Sequence, residues 1–254
     1  MTPPPPPARK TRHSPNCRRS INTSFTPAPA AIFWDMDGTL VDTEPLWERF
    51  TYELSERMGR RLTPALRETT IGGSFGHTVR VCADHAGVTV TEDDHPIYRA
   101  FMYERMAELM DAELAPNPGV TRLLGDLSGR DLPMLVTTNT ERVLADLSIA
   151  AVGSHFFAGS VAGDEVPRPK PAPDMYLRAA EKVGAHPSDC LVFEDSVTGM
   201  TAAVAAGCRV IGLPWYADTV VPEGVVTLDS LHGRNDFEGV DAATVFDWFH
   251  QLKR

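Results

Sequence analysis

The chain has 254 residues, of which 43% are hydrophobic and 23% charged, an ordinary globular composition with enough length for a substantial core and one inserted subdomain. No apolar stretch is long enough to cross a bilayer, so we expect no membrane partner. The formal net charge is −10, but residues 1–34 hold five Lys/Arg and no acid, which leaves 19 basic and 34 acidic side chains, a net −15, beyond them. Such an acidic body repels nucleic acid and does not attract anionic substrates from a distance.

Residues 1–29 form a basic segment that begins with five prolines after Met1 and Thr2 and has almost no apolar periodicity. We therefore expect a disordered tail. The segment lacks the apolar centre of a secretory signal, and its prolines oppose the amphipathic helix of an organelle transit peptide. The four cysteines have neither C-x-x-C nor zinc-like spacing, so we expect them to be reduced and the protein to be cytoplasmic.

From residue 30 onward the chain predicts an α/β fold with a doubly wound parallel sheet. The segment 43–114 has apolar residues at helical spacing, and the break at Asn117, Pro118 and Gly119 is followed by alternating helices and short apolar strands. The strands are predicted at 30–34, 133–137, 158–162, 190–193 and 209–213, and the crossover helices near 120–129, 141–149, 174–183 and 197–206. Right-handed crossovers would bring the carboxyl ends of the strands to one edge, where ligands bind in such sheets.

Two carboxylates, Asp35 and Asp37, follow the first predicted strand in the run Asp-Met-Asp-Gly-Thr-Leu. Side chains at i and i+2 of an extended segment share one face, so one carboxylate can attack while the other moves a proton. An isolated D-x-D-G is more often only a turn. Here three further elements follow in order: the apolar run 134–139 ending in hydroxyls, Lys170 between two prolines, and the run 191–196, an apolar stretch ending in acids.

Together these four motifs resemble the haloacid dehalogenase superfamily, in its phosphatase and phosphomutase branch, over about residues 30–213. The resemblance implies a Rossmann-like core at 30–42 and 115–254 with an α-helical cap at 43–114 that moves over the catalytic edge. It also implies an Mg²⁺-dependent phosphatase that hydrolyses a small phosphorylated metabolite through an aspartyl-phosphate intermediate. In that mechanism Asp35 is the nucleophile, and Asp37 protonates the leaving group and later deprotonates water.

The resemblance further implies a metal site formed by the Asp35 carboxylate, the backbone carbonyl of Asp37 and an acid of the fourth motif. Asp195 is the best match to that acid. Glu194 is ranked lower, because one of two adjacent acids could instead cap a helix. Oxygen ligands without Cys or His favour Mg²⁺ over Zn²⁺.

The predicted phosphate-binding residues are Thr137, Thr138 and Lys170. The position of Thr137 and Thr138 at a strand end follows the family pattern, although threonine is common in strands for other reasons. Pro169 and Pro171 restrict the backbone of Lys170, which would supply a point charge to the phosphoryl group. An exposed loop lysine is the alternative.

The main functional alternative is a sugar phosphomutase similar to β-phosphoglucomutase. Such mutases carry a histidine where this chain has Trp47, and cationic residues in a cap loop that here reads Ile-Gly-Gly-Ser-Phe, although Arg67 or Arg80 could substitute. Dehalogenase chemistry usually lacks the acid at Asp37. A non-catalytic binding protein is less expected, because all the motif residues are present. Selectivity is expected from Gly72, Gly73, Ser74 and His77, but the substrate and the oligomeric state are not encoded in any readable pattern.

Overall fold

The computed structural model describes residues 1–2, 28–71, 74–216 and 218–252. Most of the predicted tail lies outside the described residues, and its disorder stays a prediction. Gly72 and Gly73 of the expected selectivity loop also lie outside them. None of the described helices combines the length and the apolar character needed to span a membrane.

A parallel sheet forms the centre of the described chain, with the six strands in the order β3-β2-β1-β4-β5-β6. The strands are β1 (Ala31–Trp34), β2 (Met134–Thr137), β3 (Gly159–Val161), β4 (Cys190–Glu194), β5 (Arg209–Gly212) and β6 (Val225–Thr227). The five predicted strands are confirmed with boundaries within one residue, and the predicted doubly wound α/β class is correct. The edge strand β6 was not predicted.

The order in which strands are added to the sheet reverses at β1. The chain runs outward from β1 to β2 and β3, then returns to the other side of β1 to continue with β4, β5 and β6. Successive strands are therefore added first on the β2 side of β1 and then on its β4 side. This makes the carboxyl end of β1 a topological switch point, the place where open α/β sheets bind ligands.

Helices cover both faces of the sheet, which explains why β1 is an unbroken apolar run. Ile32 and Trp34 contribute to one hydrophobic cluster, while Ala31 and Phe33 contribute to a second on the opposite face, as the alternation of strand side chains requires. The ring of Trp34 stacks on Phe193 of β4 at a centroid distance of 4.5 Å. The flanking helices are α5 (Val120–Ser128), α6 (Arg142–Val152), α7 (Asp174–Val183), α8 (Val197–Ala205), α9 (Leu228–His232) and α10 (Ala242–Gln251).

Within the described part of the segment predicted as a cap, four α-helices follow β1: α1 (Glu44–Arg57), α2 (Pro64–Glu68), α3 (Phe75–Ala86) and α4 (His95–Glu113). They share a hydrophobic cluster that includes Phe50, Leu54 and Met106 and that takes in Leu144 from α6 of the sheet layer. The helical character of the insertion is therefore confirmed. The exact boundaries of core and cap, and the mobility of the cap, stay predictions.

The two chain segments that connect the sheet to these helices run side by side next to the first motif. Val41 and Pro116 form an isolated antiparallel bridge. The side-chain amide of Asn117 donates to the carbonyl oxygens of Gly38 and Thr39, at 3.3 and 3.0 Å. The entry to and exit from the helical insertion are thus tied to the turn that carries Asp35 and Asp37.

Candidate active site

Asp35 lies directly beyond the carboxyl end of β1 and is 6% exposed. Its backbone N–H donates to the carbonyl of Phe193 on β4, which extends the sheet pairing to Asp35. One carboxylate oxygen, Oδ1, accepts a hydrogen bond of 2.6 Å from Lys170 Nζ. The other, Oδ2, is buried and has no hydrogen-bond partner within the described part of the chain.

Lys170 is the central cation of the site. Its ammonium group donates to Asp35, to Glu194 Oε1 at 2.5 Å and to the carbonyl oxygen of Thr137 at 3.0 Å. Burial alone would lower the pKa of Lys170, but the two carboxylates raise it above its ordinary value, so the side chain is charged. The Asn139 side chain and the Lys170 backbone exchange two hydrogen bonds, which fix the loop that carries the lysine.

Glu194 is fully buried at the end of β4, and its carboxylate already has several donors. Oε1 accepts from Lys170 and from the Tyr176 hydroxyl, and Oε2 accepts from both the backbone N–H and the hydroxyl of Ser196. Ser196 itself caps α8 by accepting from the N–H of Gly199. Ser196 is therefore the residue that caps α8, while Glu194 accepts hydrogen bonds from both Lys170 and Ser196 and so connects the lysine to the start of α8.

Asp195 follows Glu194 and faces the same cluster. Burial raises the pKa of Asp195 to about 7, with a further increase from Glu194, while Lys170 and a hydrogen bond from Trp215 oppose the change. Burial also raises the pKa of Asp35 well above its usual range, with Glu194 again adding to the effect and Lys170 opposing it. Both shifts have one physical cause, namely that several carboxylates share a poorly solvated site with a single lysine.

The carboxylate cluster fits a hard divalent cation. One oxygen from each of Asp35, Glu194 and Asp195 lies within 4.8 Å of the other two. The donor set within the described residues is all oxygen, and the unpartnered Oδ2 of Asp35 is a buried acceptor in need of a positive or hydrogen-bonding partner. Because the oxygens of Glu194 are already occupied by protein donors, Asp35 and Asp195 are the better available ligands.

Asp37 is oriented by three threonine hydroxyls. Thr43 donates to Oδ1 at 2.7 Å, and Thr138 and Thr140 donate to Oδ2 at 3.1 and 2.7 Å. These donors come from the start of the helical insertion and from the loop after β2, so they connect the second aspartate to both parts of the fold. The arrangement holds the carboxyl group in one orientation, as a proton-transfer group requires.

The two predicted threonines of the second motif differ in their surroundings. The hydroxyl of Thr137 is fully buried, donates to the backbone carbonyl of Trp34 at 3.3 Å and also interacts with the Tyr176 hydroxyl. Thr137 also contributes its own carbonyl oxygen to Lys170. The bond to the Trp34 carbonyl does not favour the expected phosphoryl contact through the Thr137 hydroxyl, and that contact stays a prediction. Thr138 lies beside Asp37, and its phosphate contact stays a prediction.

Several residues of the site were missed at the sequence level. Thr43 and Thr140 hold Asp37, Tyr176 supports Glu194, and Trp215 contacts Asp195. The threonines lie within or next to the predicted motifs, so a search for donors around Asp37 would have found them. Tyr176 and Trp215 carry no motif, and only the folded chain brings them to the site.

Comparisons with known proteins identify the family of this chain. A family model described as haloacid dehalogenase-like hydrolase matches residues 29–207. A probable pseudouridine-5′-phosphatase from Drosophila melanogaster is 33% identical over 192 residues, covering 71% of this chain and 80% of the relative. Fructose-1-phosphate phosphatase YqaB from Escherichia coli is 33% identical over 180 residues, covering 70% and 93%.

A solved structure shows the same fold. The crystal structure of CbbY from Rhodobacter sphaeroides in complex with phosphate superposes with a TM-score of 0.73 at 24% identity, covering 85% of this chain and 98% of that one. The family model spans more than half of the chain, and both relatives are matched over more than two thirds of their length. The chain therefore belongs to the haloacid dehalogenase-like hydrolase family.

Proposed function

We propose that this protein is a phosphatase that hydrolyses a small phosphorylated metabolite through an aspartyl phosphate on Asp35. The observation that carries the proposal is the buried, unpartnered Oδ2 of Asp35, beside the charged Lys170. The relatives named above are phosphatases of a nucleoside phosphate and a sugar phosphate, which supports a small phosphomonoester as substrate.

The proposed cofactor is Mg²⁺, held by the carboxylates of Asp35 and Asp195 and by the backbone carbonyl of Asp37. When bound, it would supply positive charge that offsets the repulsion between a phosphate ester and the acidic cluster. Lys170 is proposed to add its charge next to the phosphoryl group, since its ammonium already contacts the nucleophile. The net −15 of the chain beyond residue 34 makes such local compensation necessary.

In the first step, a carboxylate oxygen of Asp35 bonds to phosphorus as the bond between phosphorus and the ester oxygen breaks. Asp37, acting as the general acid, transfers a proton to the departing alkoxide. In the second step, Asp37 takes a proton from water, whose oxygen bonds to phosphorus while the acyl phosphate bond breaks. Inorganic phosphate leaves, and both aspartates return to their initial protonation states.

The hydrogen bonds of this chain suit those roles. Lys170 donates to Asp35 Oδ1 and so fixes the orientation of the nucleophilic carboxylate. The three threonine donors fix the orientation of Asp37 while its proton is moved, which reduces the reorganisation needed in each step.

The phosphomutase alternative gains no support from the cap cations. Arg67 is 4% exposed, and its guanidinium group is bonded to Glu44 and Thr70. Arg80 is exposed and lines a cap groove of about 280 Å³ together with Asp84 and His95. Within the described residues, Arg67 is bonded to protein partners and neither arginine has a hydrogen bond or ion pair with the carboxylate cluster, so we favour the phosphatase.

Of the residues expected to select the substrate, Ser74 caps α3 by accepting from the N–H of His77. His77 contacts the carbonyl of Thr69 through Nε2, at 3.0 Å. A selectivity role for these two residues stays a prediction. Cytoplasmic location and the absence of nucleic-acid partners stay predictions as well.

The proposal is tested by Mg²⁺-dependent phosphate release from a panel of sugar phosphates, phosphoglycolate, glycerol phosphates and nucleotides. Asp35→Asn is the blank, and Asp42→Asn, an exposed acid seven residues along the chain, is the matched control. Release by the wild type and the control, but not by the blank, supports the proposal. Release by the blank would remove Asp35 as nucleophile. Conversion of a glucose 1-phosphate to its 6-phosphate without release would establish the mutase.

A further inference from the structure

We propose that Trp215 is a positioning residue that holds Asp195 in the orientation needed to bind the metal ion. The inference rests on the proposed function. The contact that supports it is a hydrogen bond of 3.0 Å from the indole Nε1 of Trp215 to Oδ2 of Asp195. An indole N–H can only donate, so it matches a carboxylate without competing for a cation.

The backbone immediately before Trp215 is fixed at two points. The N–H of Leu213 donates to the carbonyl oxygen of Glu194 at 2.7 Å, and the side chain of Asn235 donates to the carbonyl oxygen of Pro214 at 2.8 Å. The first contact continues the pairing of β5 with β4 beyond the last strand residue, and the second ties the loop to the segment after α9. The indole is therefore presented to Asp195 from an anchored loop.

The turn after Asp37 leaves room for this contact. Gly38 has φ +93°, and a Cβ atom there would lie 2.0 Å from Asp195 Oδ2 and 2.9 Å from Trp215 Nε1. The indole N–H and the carboxylate oxygen consequently lie against the glycine backbone. Three segments meet at this point: the turn after β1, the end of β4 and the loop after β5.

The exposure of Trp215 argues against a packing role. The side chain is 56% exposed, in contrast to the buried Trp34 and Trp248 of the hydrophobic core. Loss of its N–H should therefore affect Asp195 more than the fold. A donor that fixes one oxygen of a ligand carboxylate sets the rotation of the group, and loss of such a supporting hydrogen bond typically weakens metal binding by about 10- to 100-fold.

The test is calorimetric titration of MgCl₂ into the full chain in phosphate-free buffer, for the wild type, Trp215→Phe and Tyr216→Phe. Trp215→Phe keeps an aromatic ring but removes the donor. Tyr216 is the adjacent aromatic residue, 70% exposed, and serves as the matched control. We expect the Mg²⁺ dissociation constant of Trp215→Phe to rise about tenfold and that of Tyr216→Phe to stay within about twofold of the wild type.

A kinetic measurement separates positioning from a general defect. In Trp215→Phe the Mg²⁺ concentration for half-maximal activity should rise, while kcat at saturating Mg²⁺ should approach that of the wild type. Trp215→His, which retains a ring N–H, should recover part of the affinity, and it provides a second variant if the phenylalanine protein does not fold.

Unchanged Mg²⁺ affinity in Trp215→Phe, with normal binding by the wild type, would overturn the role of Trp215 and leave the proposed function intact. Equal weakening in Trp215→Phe and Tyr216→Phe would overturn it too, because the loop rather than the N–H would then be responsible. A wild-type protein that binds no Mg²⁺ would instead contradict the metal site of the proposed function.

Discussion

Replacing Lys170 by methionine removes the cation that, within the described residues, contacts both Asp35 and Glu194. The ammonium is buried, with a side-chain exposure of 3%, and the two carboxylates are 8% and 0% exposed. Methionine keeps an unbranched chain but leaves both acids without their shared counter-charge. We therefore expect Lys170→Met to lose phosphate release and, in the metal-free protein, to lose stability.

The size of the stability loss follows from the burial of the partners. Removing one member of a buried ion pair typically costs about 3–5 kcal/mol, because an uncompensated charge remains. A proton taken up by a carboxylate can replace part of the lost charge. Burial already raises the pKa of Asp35 in the wild type although Lys170 opposes this, so the variant should have a still higher pKa at this site.

The sign of the pH dependence follows from these directions. A carboxyl group with a pKa that is higher in the folded than in the unfolded state binds more protons when folded, so its contribution to stability falls as the pH rises between the two pKa values. The limiting slope is about 1.4 kcal/mol per pH unit for each proton. The gap in unfolding free energy between wild type and Lys170→Met should therefore be wider at about pH 8.5 than at about pH 6.

The assay is urea unfolding at both pH values in the presence of a chelator. Lys182→Met is the matched control, because Lys182 is an exposed lysine with a single hydrogen bond, to the carbonyl oxygen of Ser160. Its loss should change stability by less than about 1 kcal/mol. If the unfolding free energy of Lys170→Met were lower by less than about 1 kcal/mol, or if the difference became smaller as the pH rises, Lys170 would not be the buried counter-charge of the two carboxylates.

The other predictions concern the threonines, the start of α8 and the titration of Asp195. Thr140→Val removes a donor to the second aspartate and should lower kcat by about tenfold, whereas Thr137→Val removes contacts with a backbone carbonyl and the Tyr176 hydroxyl and should leave kcat within about twofold. Gly199→Ala would place a Cβ 1.7 Å from a buried carboxylate oxygen, so it should destabilise the protein and reduce activity; Gly76→Ala, in an open helical position, should do neither. Because burial raises the pKa of Asp195 to about 7, protons compete with metal below that value, and the Mg²⁺ affinity measured by calorimetry should increase as the pH rises through it.

Steady-state kinetics and thermal unfolding check the first two of these predictions. Equal kcat values for Thr140→Val and Thr137→Val would contradict the assignment of their hydroxyls to different partners. A Gly199→Ala protein as stable and active as Gly76→Ala would show that the start of α8 does not depend on close packing. An Mg²⁺ affinity that is the same on both sides of neutrality would separate Asp195 from the metal site.

The sheet was predictable because its strands are buried on both faces. Such strands form continuous apolar runs bounded by polar or turn residues, so β1 and β4 could be located from composition alone. The edge strand β6 (Val225–Thr227) has three partly buried residues. It is too short for periodicity to distinguish it from a loop, and its pairing with β5 becomes visible only in the folded chain.

The sequence predicts those parts of the candidate site that lie at the carboxyl ends of strands or in the loops that follow them. Asp35, Lys170 and Asp195 come together because parallel strands and their following loops meet at one edge. Which face a side chain takes depends on register, and for that reason the roles of the adjacent Thr137 and Thr138 could not be separated in advance. The contact of Trp215 depends on a distant loop and has no local signal.

The most direct test of the proposed mechanism is detection of the phosphoryl group on Asp35. The wild-type protein would be mixed with Mg²⁺ and the best substrate from the panel, quenched in acid within a single turnover, digested and examined by mass spectrometry. The proposed mechanism predicts that the peptide containing Asp35 gains the mass of one phosphoryl group, and that the Asp35→Asn protein shows no such gain and releases no phosphate. Rapid phosphate release by the wild type with no phosphoryl group on that peptide at any quench time, or with the group on another residue, would contradict it.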